Sequence, residues 1–323
     1  MTGMRAVVHD RYGPPEVLRV DEVPVPEPAA GDVLVRVHAT TVNRTDCGFR
    51  EPRPFFVRAF SGLVRPRHRI LGTEFAGVVA AVGGDVTTFT VGDRVFGVNA
   101  DRFGAHAEYL RVAQTAPIAT MPAGMAFDEA AAICDGAILA RTCLTKPGVT
   151  DGTKLMIYGA TGSIGTAAVQ LARHLGADVT AVCPGQHADL VRELGADRTI
   201  DYTTEDFTRA GDDFDVVLDA VGKRSFAECR RLLRPGGTYA STDLGHGWQN
   251  PPLTLVTRLT TRRVMVPLPA YRQHHVVYFK ELLETGALRP VIDRRYPLAD
   301  VVEATRYVET EQKVGNVVLT VDG

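Results

Sequence analysis

The sequence predicts an α/β protein in which a β-rich unit is followed by a doubly wound parallel sheet. From Arg5 to about Ala113, short apolar runs are broken by Gly, Pro and Asp, which is typical of short twisted strands. From Asp128 onward, helical spacing of apolar residues alternates with short strands, which indicates parallel strands joined by helices. A chain of 323 residues with 45% hydrophobic composition can bury two such cores, so we expect two domains.

The second unit divides into elements by its periodicity. A helical segment, FDEAAAICDGAILARTCL, comes first, and the predicted strands are KLMIYG, DVTAVC, RTIDY, FDVVLDA and GGTYAST. After about Pro267 the pattern predicts a helix (HHVVYFKELLETG), a short strand near Val291, a second helix (LADVVEATRYVE) and a final strand, GNVVLTV. This tail could return to the first domain.

The most informative stretch runs from Lys154 to Leu175, where an apolar strand breaks into glycines and continues as a helix. It contains an A-x-G-x-x-G pattern. Glycine lets the backbone turn tightly and approach a pyrophosphate, whose charge then lies against the N–H groups and the positive dipole end of the helix. A tight turn without a ligand is the alternative. The pattern predicts a dinucleotide site formed by Ala160, Thr161, Gly162, Ser163, Ile164 and Gly165.

Charge and cysteine content exclude several classes of protein. A net charge of −2 with both signs interspersed gives no global field to attract nucleic acid or an anionic membrane. No apolar run could span a bilayer, and the N-terminus enters a strand pattern without a signal-peptide core, so we expect a soluble, cytoplasmic protein. The five cysteines lack C-x-x-C spacing, so we expect neither a disulfide framework nor a thiolate metal site.

Motifs along essentially the whole chain resemble one family. They are LGTEFAGVVAAVG (71–83), VGDRVFG (91–97), GAHAEY (104–109), GATGSIG (159–165), LGADRTIDYTTEDF (194–207), FDVVLDAVG (214–222), LLRPGGTYASTDLG (232–245) and KVGNVVLTV (313–321). With them the chain resembles the medium-chain dehydrogenase/reductase superfamily, in its zinc-independent quinone oxidoreductase-like branch. The resemblance implies a GroES-like β domain made of residues 1–124 and 267–323, a Rossmann NADP-binding domain made of residues 125–266, and an active site in the cleft between them.

The resemblance also locates the corner where zinc members of the superfamily hold a catalytic metal. Their G-H-E signature reads Gly72-Thr73-Glu74 here, so threonine replaces the ligand imidazole. The first cysteine position is Asn43, and Asp135 lies near the third position. An amide, a hydroxyl and one carboxylate make a poor zinc site, and the cysteines of the structural zinc lobe are missing. We therefore expect no metal and no Lewis acid to activate an alcohol.

The same corner supplies the candidate catalytic residues. Asn43 could orient the substrate or the nicotinamide, or be a structural asparagine; Asp46 could donate through water, or cap a helix. The Thr73 hydroxyl would be directed at the same corner. Asp135 lies in an otherwise apolar helix, where burial would raise its pKa and make it a candidate proton donor. A partly exposed aspartate, or one paired with arginine, is the alternative.

The end of the second Rossmann strand bears on the choice of cofactor. It reads Cys183-Pro184-Gly185-Gln186-His187, without the carboxylate that would hold an NAD ribose. This favours NADPH over NADH, with Gln186 and His187 near the 2′-phosphate and Tyr202 placed there by the resemblance. Relatives often carry Arg or Lys where this chain has Gln186, so the phosphate clamp would be weak.

Two loops are further candidates for ligand contacts. The stretch 241–250 follows the last Rossmann strand and is expected to border the nicotinamide, with Leu244 and Gly245 in the cofactor site. There His246 and Trp248 either line the substrate pocket or belong to a surface loop. The arginine-rich segment 50–69 is either a lid for an anionic substrate or a solvated face over an apolar loop.

The sequence predicts a function from these parts. Hydride transfer to an enone or a quinone needs a dry cleft and donors for the oxygen that gains charge, but no covalent nucleophile. We expect an NADPH-dependent, zinc-free oxidoreductase that delivers hydride to the activated double bond of an enone, an enal or a quinone. A carbonyl or enoyl-thioester reductase and a non-catalytic NADPH-binding protein are the alternatives. Because residues 258–269 resemble the edge strand through which family members pair, we also expect a homodimer. We expect a small-molecule substrate, and neither a nucleic-acid nor a membrane partner.

Overall fold

A computed structural model describes residues 3–52, 58–211 and 213–321, apart from the side chains of Phe60 and His246. The chain forms two compact units. The first comprises Met1–Asp135, Tyr271–Thr285 and Arg289–Gly323, and the second comprises Gly136–Ala270 and Gly286–Leu288. Both ends of the chain therefore contribute to the first unit.

The strands and the helices are each numbered in chain order. The strands are β1 (Met4–Val8), β2 (Arg19–Val23), β3 (Asp32–Val42), β4 (Glu74–Val82), β5 (Arg94–Val98), β6 (Tyr109–Ala113), β7 (Ile118–Thr120), β8 (Lys154–Tyr158), β9 (Asp178–Cys183), β10 (Arg198–Asp201), β11 (Phe214–Asp219), β12 (Leu233–Ser241), β13 (Arg263–Met265), β14 (Ile292–Pro297) and β15 (Asn316–Thr320). The helices are α1 (Arg44–Arg50), α2 (Arg58–Ser61), α3 (Phe127–Ala131), α4 (Cys134–Thr145), α5 (Ser163–His174), α6 (Ala188–Glu193), α7 (Phe226–Cys229), α8 (Asn250–Val256), α9 (Gln273–Glu284) and α10 (Val301–Glu309).

The first unit, hereafter the β unit, is built on a seven-stranded sheet. Its strands follow the order β14-β15-β3-β4-β5-β7, with β6 also paired to β3, while β1 and β2 form a separate antiparallel pair. Only β14 and β15 pair in parallel within the larger sheet. Alternate residues of β3 (Val33, Val35 and Val37) enter one apolar core with Phe75 and Leu319. This sheet carries the end of β3 and the start of β4, beside which Asn43, Asp46 and Thr73 lie.

The second unit, hereafter the Rossmann unit, contains a six-stranded sheet whose neighbouring strands all pair in parallel. The order β10-β9-β8-β11-β12-β13 is the 3-2-1-4-5-6 order of dinucleotide-binding folds. Because β9 and β11 lie on opposite sides of β8, the carboxyl end of β8 is the switch point at which such sheets bind ligands. The glycine-rich turn follows β8 at this end.

The expected fold class is confirmed, and one element differs from its prediction. The helix predicted to run unbroken through FDEAAAICDGAILARTCL is interrupted, since α3 ends at Ala131 and α4 begins at Cys134. A tertiary contact accounts for the new start, because the N–H of Asp135 donates to the side chain of Glu74 at 2.7 Å. An alanine-rich segment gives no local signal of such a contact.

Burial accounts for the scattered cysteines. All are free and buried. Burial raises the pKa of the Cys47, Cys143 and Cys229 thiols to about 12, so these side chains behave as small apolar residues. Within the described ranges, none of the helices is both long and apolar enough to cross a bilayer.

Candidate active site

The glycine-rich turn of the Rossmann unit joins β8 to α5. Gly159 has a φ of +78°, a conformation that L side chains rarely adopt. A Cβ atom added at Gly165 would lie 2.1 Å from the Gly159 carbonyl oxygen and 2.7 Å from the Ala160 Cα, so only glycine fits there. A Cβ atom at Gly162 would meet that oxygen at 3.7 Å, an ordinary contact. Gly165 is therefore required by packing, whereas Gly162 leaves space open at the start of the helix.

This space lies at the N-terminus of α5. Gly162 is the N-cap and offers no side-chain cap, and the first turn of the helix carries no acidic residue. Helix N–H groups without side-chain caps, together with the positive end of the helix dipole, favour an anion. The other predicted residues surround this point, with Thr161, Ser163 and Ile164 half-buried and Ala160 buried. The turn therefore fits the pyrophosphate of a dinucleotide.

The residues predicted for a 2′-phosphate lie at the same end of the sheet. Gln186 is exposed, and its Nε2 lies 3.1 Å from Nε2 of His187. Tyr202 follows β10 and is 41% exposed. Because Asp201 pairs with Cys183 across β10 and β9, Tyr202 lies beside the strand end that leads to Gln186 and His187.

The expectation that no carboxylate lies at this strand end is wrong, because Asp201 joins the group. A Cβ atom at Gly185 would lie 2.3 Å from Oδ2 of Asp201, so the carboxylate lies against that turn. Hydrogen bonds from the hydroxyl and the N–H of Thr203 lower the pKa of Asp201. Burial raises the pKa of Tyr202, and the positive charge of Lys223 opposes that shift. The candidate phosphate site therefore has one anion and one cation beside it.

The loop after β12 is held in a fixed shape by Asn250. The Asn250 N–H donates to the Leu244 carbonyl oxygen at 3.0 Å. Gly245 has a φ of +78°, and a Cβ atom there would lie 2.6 Å from the Asn250 side-chain nitrogen. Trp248 is 47% exposed, and the side chain of His246 lies outside the described residues. Leu244 and Gly245 thus belong to a tightly turned segment of the Rossmann unit.

In the β unit, the candidate catalytic residues begin where β3 ends. Asn43 is the N-cap of α1, with Oδ1 accepting from the Asp46 N–H and the Asn43 N–H donating to Oδ2 of Asp46, both at 3.0 Å. Nδ2 of Asn43 donates to Oγ1 of Thr73 at 3.0 Å. Thr73 is 2% exposed, and because its oxygen accepts this bond, its own hydroxyl hydrogen is not used by it. We refer to Asn43 and Thr73 as the amide–hydroxyl pair.

Asp46 ties the helix to the turn before β4. It is 2% exposed, and its Oδ1 accepts from the Gly72 N–H at 2.9 Å. Burial raises its pKa, while the positive form of His106, whose Nε2 lies 3.9 Å from Oδ2, would lower it. The geometry matches the helix-capping alternative for this residue.

Glu74 connects the amide–hydroxyl pair to Asp135. Oε2 of Glu74 accepts from the Thr41 hydroxyl at 2.6 Å, and Oε1 accepts from the Asp135 N–H at 2.7 Å. Asp135 is 7% exposed, and its Oδ1 accepts from the Tyr271 hydroxyl at 2.7 Å. Burial, helped by the charge of Asp135, raises the pKa of Glu74 to about 8. Burial also raises the pKa of Asp135 to about 6, and the bond from Tyr271 opposes this.

Lys313 supplies positive charge to these carboxyl groups. It precedes β15, and its Nζ donates to the Gly315 carbonyl oxygen at 2.5 Å. Burial lowers its pKa to about 8, and the charges of Glu74, Asp293 and Asp135 oppose that shift. The pKa values of Glu74, Asp135 and Lys313 therefore lie between about 6 and about 8.

The structure places all four candidate catalytic residues in the β unit. Three of them share direct hydrogen bonds, and Asp135 is joined to the Thr73 turn through Glu74. Asp135 is buried and paired with a tyrosine, rather than exposed or paired with an arginine. Sequence reasoning missed the partners of Asp135. Glu74 could have been found as a lone acid opening an apolar strand, whereas Tyr271 and Lys313 come from distant segments without a local signal.

The corner does not fit a catalytic zinc ion. The Asn43 oxygen already accepts a backbone N–H, Thr73 offers a neutral hydroxyl, and both Glu74 oxygens are engaged. Zinc favours thiolate, imidazole or carboxylate ligands that are free to bind it. Across residues 3–52, 58–211 and 213–321, no three His, Cys, Asp or Glu side chains are grouped to hold a metal ion.

The arginine-rich segment is only partly solvated. Arg50 ends α1, is 1% exposed and forms an ion pair with Glu309, so the expectation of a solvated side chain is wrong for this residue. Its burial follows from the packing of α1 against α10. Residues 53–57, which include Arg53, Phe55 and Phe56, lie outside the described residues.

Comparisons with known proteins agree with this architecture. The family model described as alcohol dehydrogenase GroES-like domain matches residues 29–123, and the one described as zinc-binding dehydrogenase matches residues 194–319. The chain is 30% identical to the 2-methylene-furan-3-one reductase of Solanum lycopersicum and 29% identical to the chloroplastic NADPH-dependent alkenal/one oxidoreductase of Arabidopsis thaliana, covering in each case 98% of this chain and 79% of the relative. The solved quinone oxidoreductase of Coxiella burnetii is 27% identical, with a TM-score of 0.90 over 99% of this chain and 100% of that one.

Proposed function

Because this chain belongs to the medium-chain dehydrogenase/reductase superfamily, in its quinone oxidoreductase-like branch, we propose that it is an NADPH-dependent reductase of enones, enals or quinones. It is an oxidoreductase that uses a nicotinamide cofactor. The names of its relatives, an alkenal/one oxidoreductase and a furanone reductase, support the choice of an activated double bond. The observation that carries the proposal is the amide–hydroxyl pair, whose two residues occupy the positions that the resemblance assigns to metal ligands in zinc members.

The Rossmann unit would hold the cofactor. The turn from Ala160 to Gly165 would bind the pyrophosphate at the N-terminus of α5, and the Leu244–Gly245 segment would border the nicotinamide. When bound, the reduced nicotinamide supplies a hydride to the substrate. For the 2′-phosphate, Gln186, His187 and Tyr202 offer polar contacts and Lys223 offers positive charge. The negative charge of Asp201 would repel that phosphate. The choice between NADPH and NADH therefore depends on the opposing charges of Asp201 and Lys223.

The amide–hydroxyl pair would bind the substrate oxygen. When hydride adds to a conjugated double bond, negative charge collects on the carbonyl oxygen, and fixed donors stabilise that charge. The Thr73 hydroxyl hydrogen and the second amide hydrogen of Asn43 are two such donors. Their positions are fixed by the helix cap of α1 and by the turn before β4, which orients both donors in advance.

Asp135 would supply the proton that completes the reduction. Its carboxyl group is buried, and its pKa of about 6 leaves part of it protonated near neutral pH. The net reaction consumes one hydride and one proton per double bond. A carboxylic acid held in a buried site can donate that proton without a metal ion.

The test is reduction of a panel of acceptors by purified protein. We expect loss of NADPH absorbance with small enones or quinones, at a rate that a metal chelator does not change. A rate with aldehydes or enoyl thioesters alone would move the assignment to a carbonyl or enoyl-thioester reductase. Binding of NADPH without turnover of any acceptor would leave a non-catalytic nucleotide-binding protein.

We also propose a homodimer formed through the Rossmann unit. The outermost strand of its sheet is β13, and large apolar side chains near it are exposed, with Leu255 at 64%, Leu259 at 97% and Leu268 at 70%. Exposed apolar side chains near an outermost strand favour pairing with a second copy. Light scattering at micromolar concentration should give twice the chain mass, and the monomer mass would refute the proposal.

Two further assignments are proposals of the same kind. We assign residues 1–124 and 267–323 to the GroES-like domain and residues 125–266 to the Rossmann domain. The compact units, which divide after Asp135 and after Ala270, support this division in outline. We also keep the expectation of a cytoplasmic location, which fractionation of the native cells would test.

A further inference from the structure

Tyr271 makes the one hydrogen bond that the Asp135 carboxyl group receives from the described residues. Its hydroxyl donates to Oδ1 at 2.7 Å, which leaves Oδ2 without such a bond. The backbone of Asp135 is fixed separately, because its N–H donates to Glu74 at 2.7 Å. Asp135 is thus held by its backbone N–H and by one carboxyl oxygen, while the other oxygen can carry a proton.

We infer that Tyr271 is a positioning residue for the proton donor, whose hydroxyl orients the Asp135 carboxyl group and sets the pH at which it releases its proton. The inference rests on the proposed function, in which Asp135 protonates the reduced substrate. Tyr271 begins the segment that returns the chain to the β unit, so a residue distant in sequence completes the corner.

Charges on every neighbouring element act on this pair. The burial of Asp135 and the charge of Asp46 on α1 favour the neutral carboxylic acid, whereas Glu74 on β4, with a pKa of about 8, is itself protonated where Asp135 releases its proton. Lys313, before β15, and the Tyr271 hydroxyl favour the carboxylate. The remaining groups that face the pair are the thiol of Cys134 and the carboxylate of Asp101, which acts on Tyr271.

The proton step transfers one proton from Asp135 to the substrate. The O–H bond of the Asp135 carboxylic acid breaks as a proton passes to the anion left on the substrate after hydride addition. The carboxylate that remains is stabilised by the Tyr271 hydrogen bond and by Lys313, and it regains a proton from water. Tyr271 does not supply the proton, because burial and the neighbouring carboxylates raise its pKa far above the neutral range.

The experiment titrates Asp135 directly in the cofactor-free protein, by NMR of ¹³C-labelled aspartate. In Tyr271→Phe the bond to the ionised form is lost, so the Asp135 midpoint should move up by about one pH unit or more. Tyr239→Phe is the matched control, because its hydroxyl is also buried beside an aspartate, with Oδ2 of Asp219 at 3.2 Å, and both residues belong to the Rossmann unit. This control should leave the Asp135 midpoint in place.

A second variant preserves the fold if the phenylalanine protein is unstable. Difluorotyrosine incorporated at position 271 is a stronger hydrogen-bond donor, so it should move the midpoint down. Opposite shifts in the two proteins support the inference. Midpoints within 0.3 pH unit of the wild type, taken as roughly the resolution of such a titration, would overturn it.

Kinetics separate this inference from the proposed function. In an active enzyme, the alkaline limb of the kcat profile should move with the Asp135 midpoint in each Tyr271 variant, and KM should change little. If the protein reduces enones but neither the Asp135 midpoint nor the alkaline limb of the kcat profile moves in the Tyr271 variants, the inferred role of Tyr271 is wrong and the proposed function is supported. If the midpoint moves while no acceptor is reduced by the wild type, the function fails and only the coupling of Tyr271 to Asp135 remains.

Discussion

The side-chain amide of Asn43 donates to the hydroxyl of Thr73 across 3.0 Å, which joins the N-cap of α1 to the turn before β4. The bond orients both groups and uses one hydrogen of the amide and none of the hydroxyl. The N-cap residue of α1 thereby forms part of the corner that we propose to stabilise negative charge on a substrate oxygen.

Removing the Thr73 hydroxyl should weaken catalysis without weakening cofactor binding. Thr73→Val keeps the shape of the side chain, and we expect kcat/KM for an enone to fall about 10- to 100-fold, roughly 1.4 to 2.7 kcal/mol. Steady-state kinetics and NADPH titration measure the two effects. Thr305→Val removes a buried hydroxyl that serves only the α10 backbone and should leave kcat/KM unchanged. An unchanged kcat/KM in Thr73→Val would remove the hydroxyl from the proposed oxygen site.

Two glycines of the nucleotide turn should respond differently to alanine. Gly165→Ala forces a Cβ atom against the Gly159 carbonyl oxygen, so the unfolding free energy should fall by about 2 kcal/mol or more. Gly162→Ala meets no close atom and should fold normally, while its methyl group narrows the space left for a pyrophosphate. Urea unfolding and calorimetric titration with NADPH separate the outcomes. Equal stability losses in both variants would contradict the geometry of the turn.

The buried carboxyl groups of Glu74 and Asp135 should make the unfolding free energy fall as pH rises. The pKa of Glu74 is raised from 4.5 to about 8, so the folded state binds more protons than the unfolded state between these values. The unfolding free energy should therefore decrease from about pH 5 to pH 8, on the order of 2 to 4 kcal/mol. Glu74→Gln should flatten this slope in urea unfolding, whereas Glu281→Gln, at an exposed site, should not. A wild-type slope of the opposite sign would show that Glu74 is ionised in the folded protein.

Asp201 should control the preference between the two nicotinamide cofactors. Replacing its carboxylate removes negative charge beside the Gly185 turn, so Asp201→Asn should raise NADPH affinity relative to NADH about three- to tenfold. Asp206→Asn is the matched control, because Asp206 holds Thr208 in the same way that Asp201 holds Thr203. Binding titrations with both nucleotides measure the ratio. A ratio that falls in Asp201→Asn would mean that the carboxylate does not face the 2′-position.

The fold could be predicted well from the sequence because its signals are local. Strand runs such as DVTAVC coincide with β9, and the glycine turn is dictated by backbone contacts that exclude side chains. The break between α3 and α4 could not be predicted, because it depends on the Glu74 side chain reaching the start of α4.

The site was less accessible to sequence reasoning for the same reason. Asn43, Asp46 and Thr73 could be grouped by resemblance, and their hydrogen bonds do join them. The partners of Asp135 are Tyr271, which lies more than a hundred residues away along the chain, and Glu74. No periodicity or motif encodes contacts of that kind, since they form only when segments distant in sequence pack together in the folded protein.

The most direct test of the central claim is to follow hydrogen from cofactor to product. The protein is incubated with an α,β-unsaturated ketone and NADPH carrying deuterium at the transferred C4 position, and the product is analysed by NMR. The account predicts a saturated ketone with deuterium on the β-carbon and a solvent-derived proton on the α-carbon. Deuterium on the carbonyl carbon of an allylic alcohol, or no transfer to any enone or quinone, would contradict it.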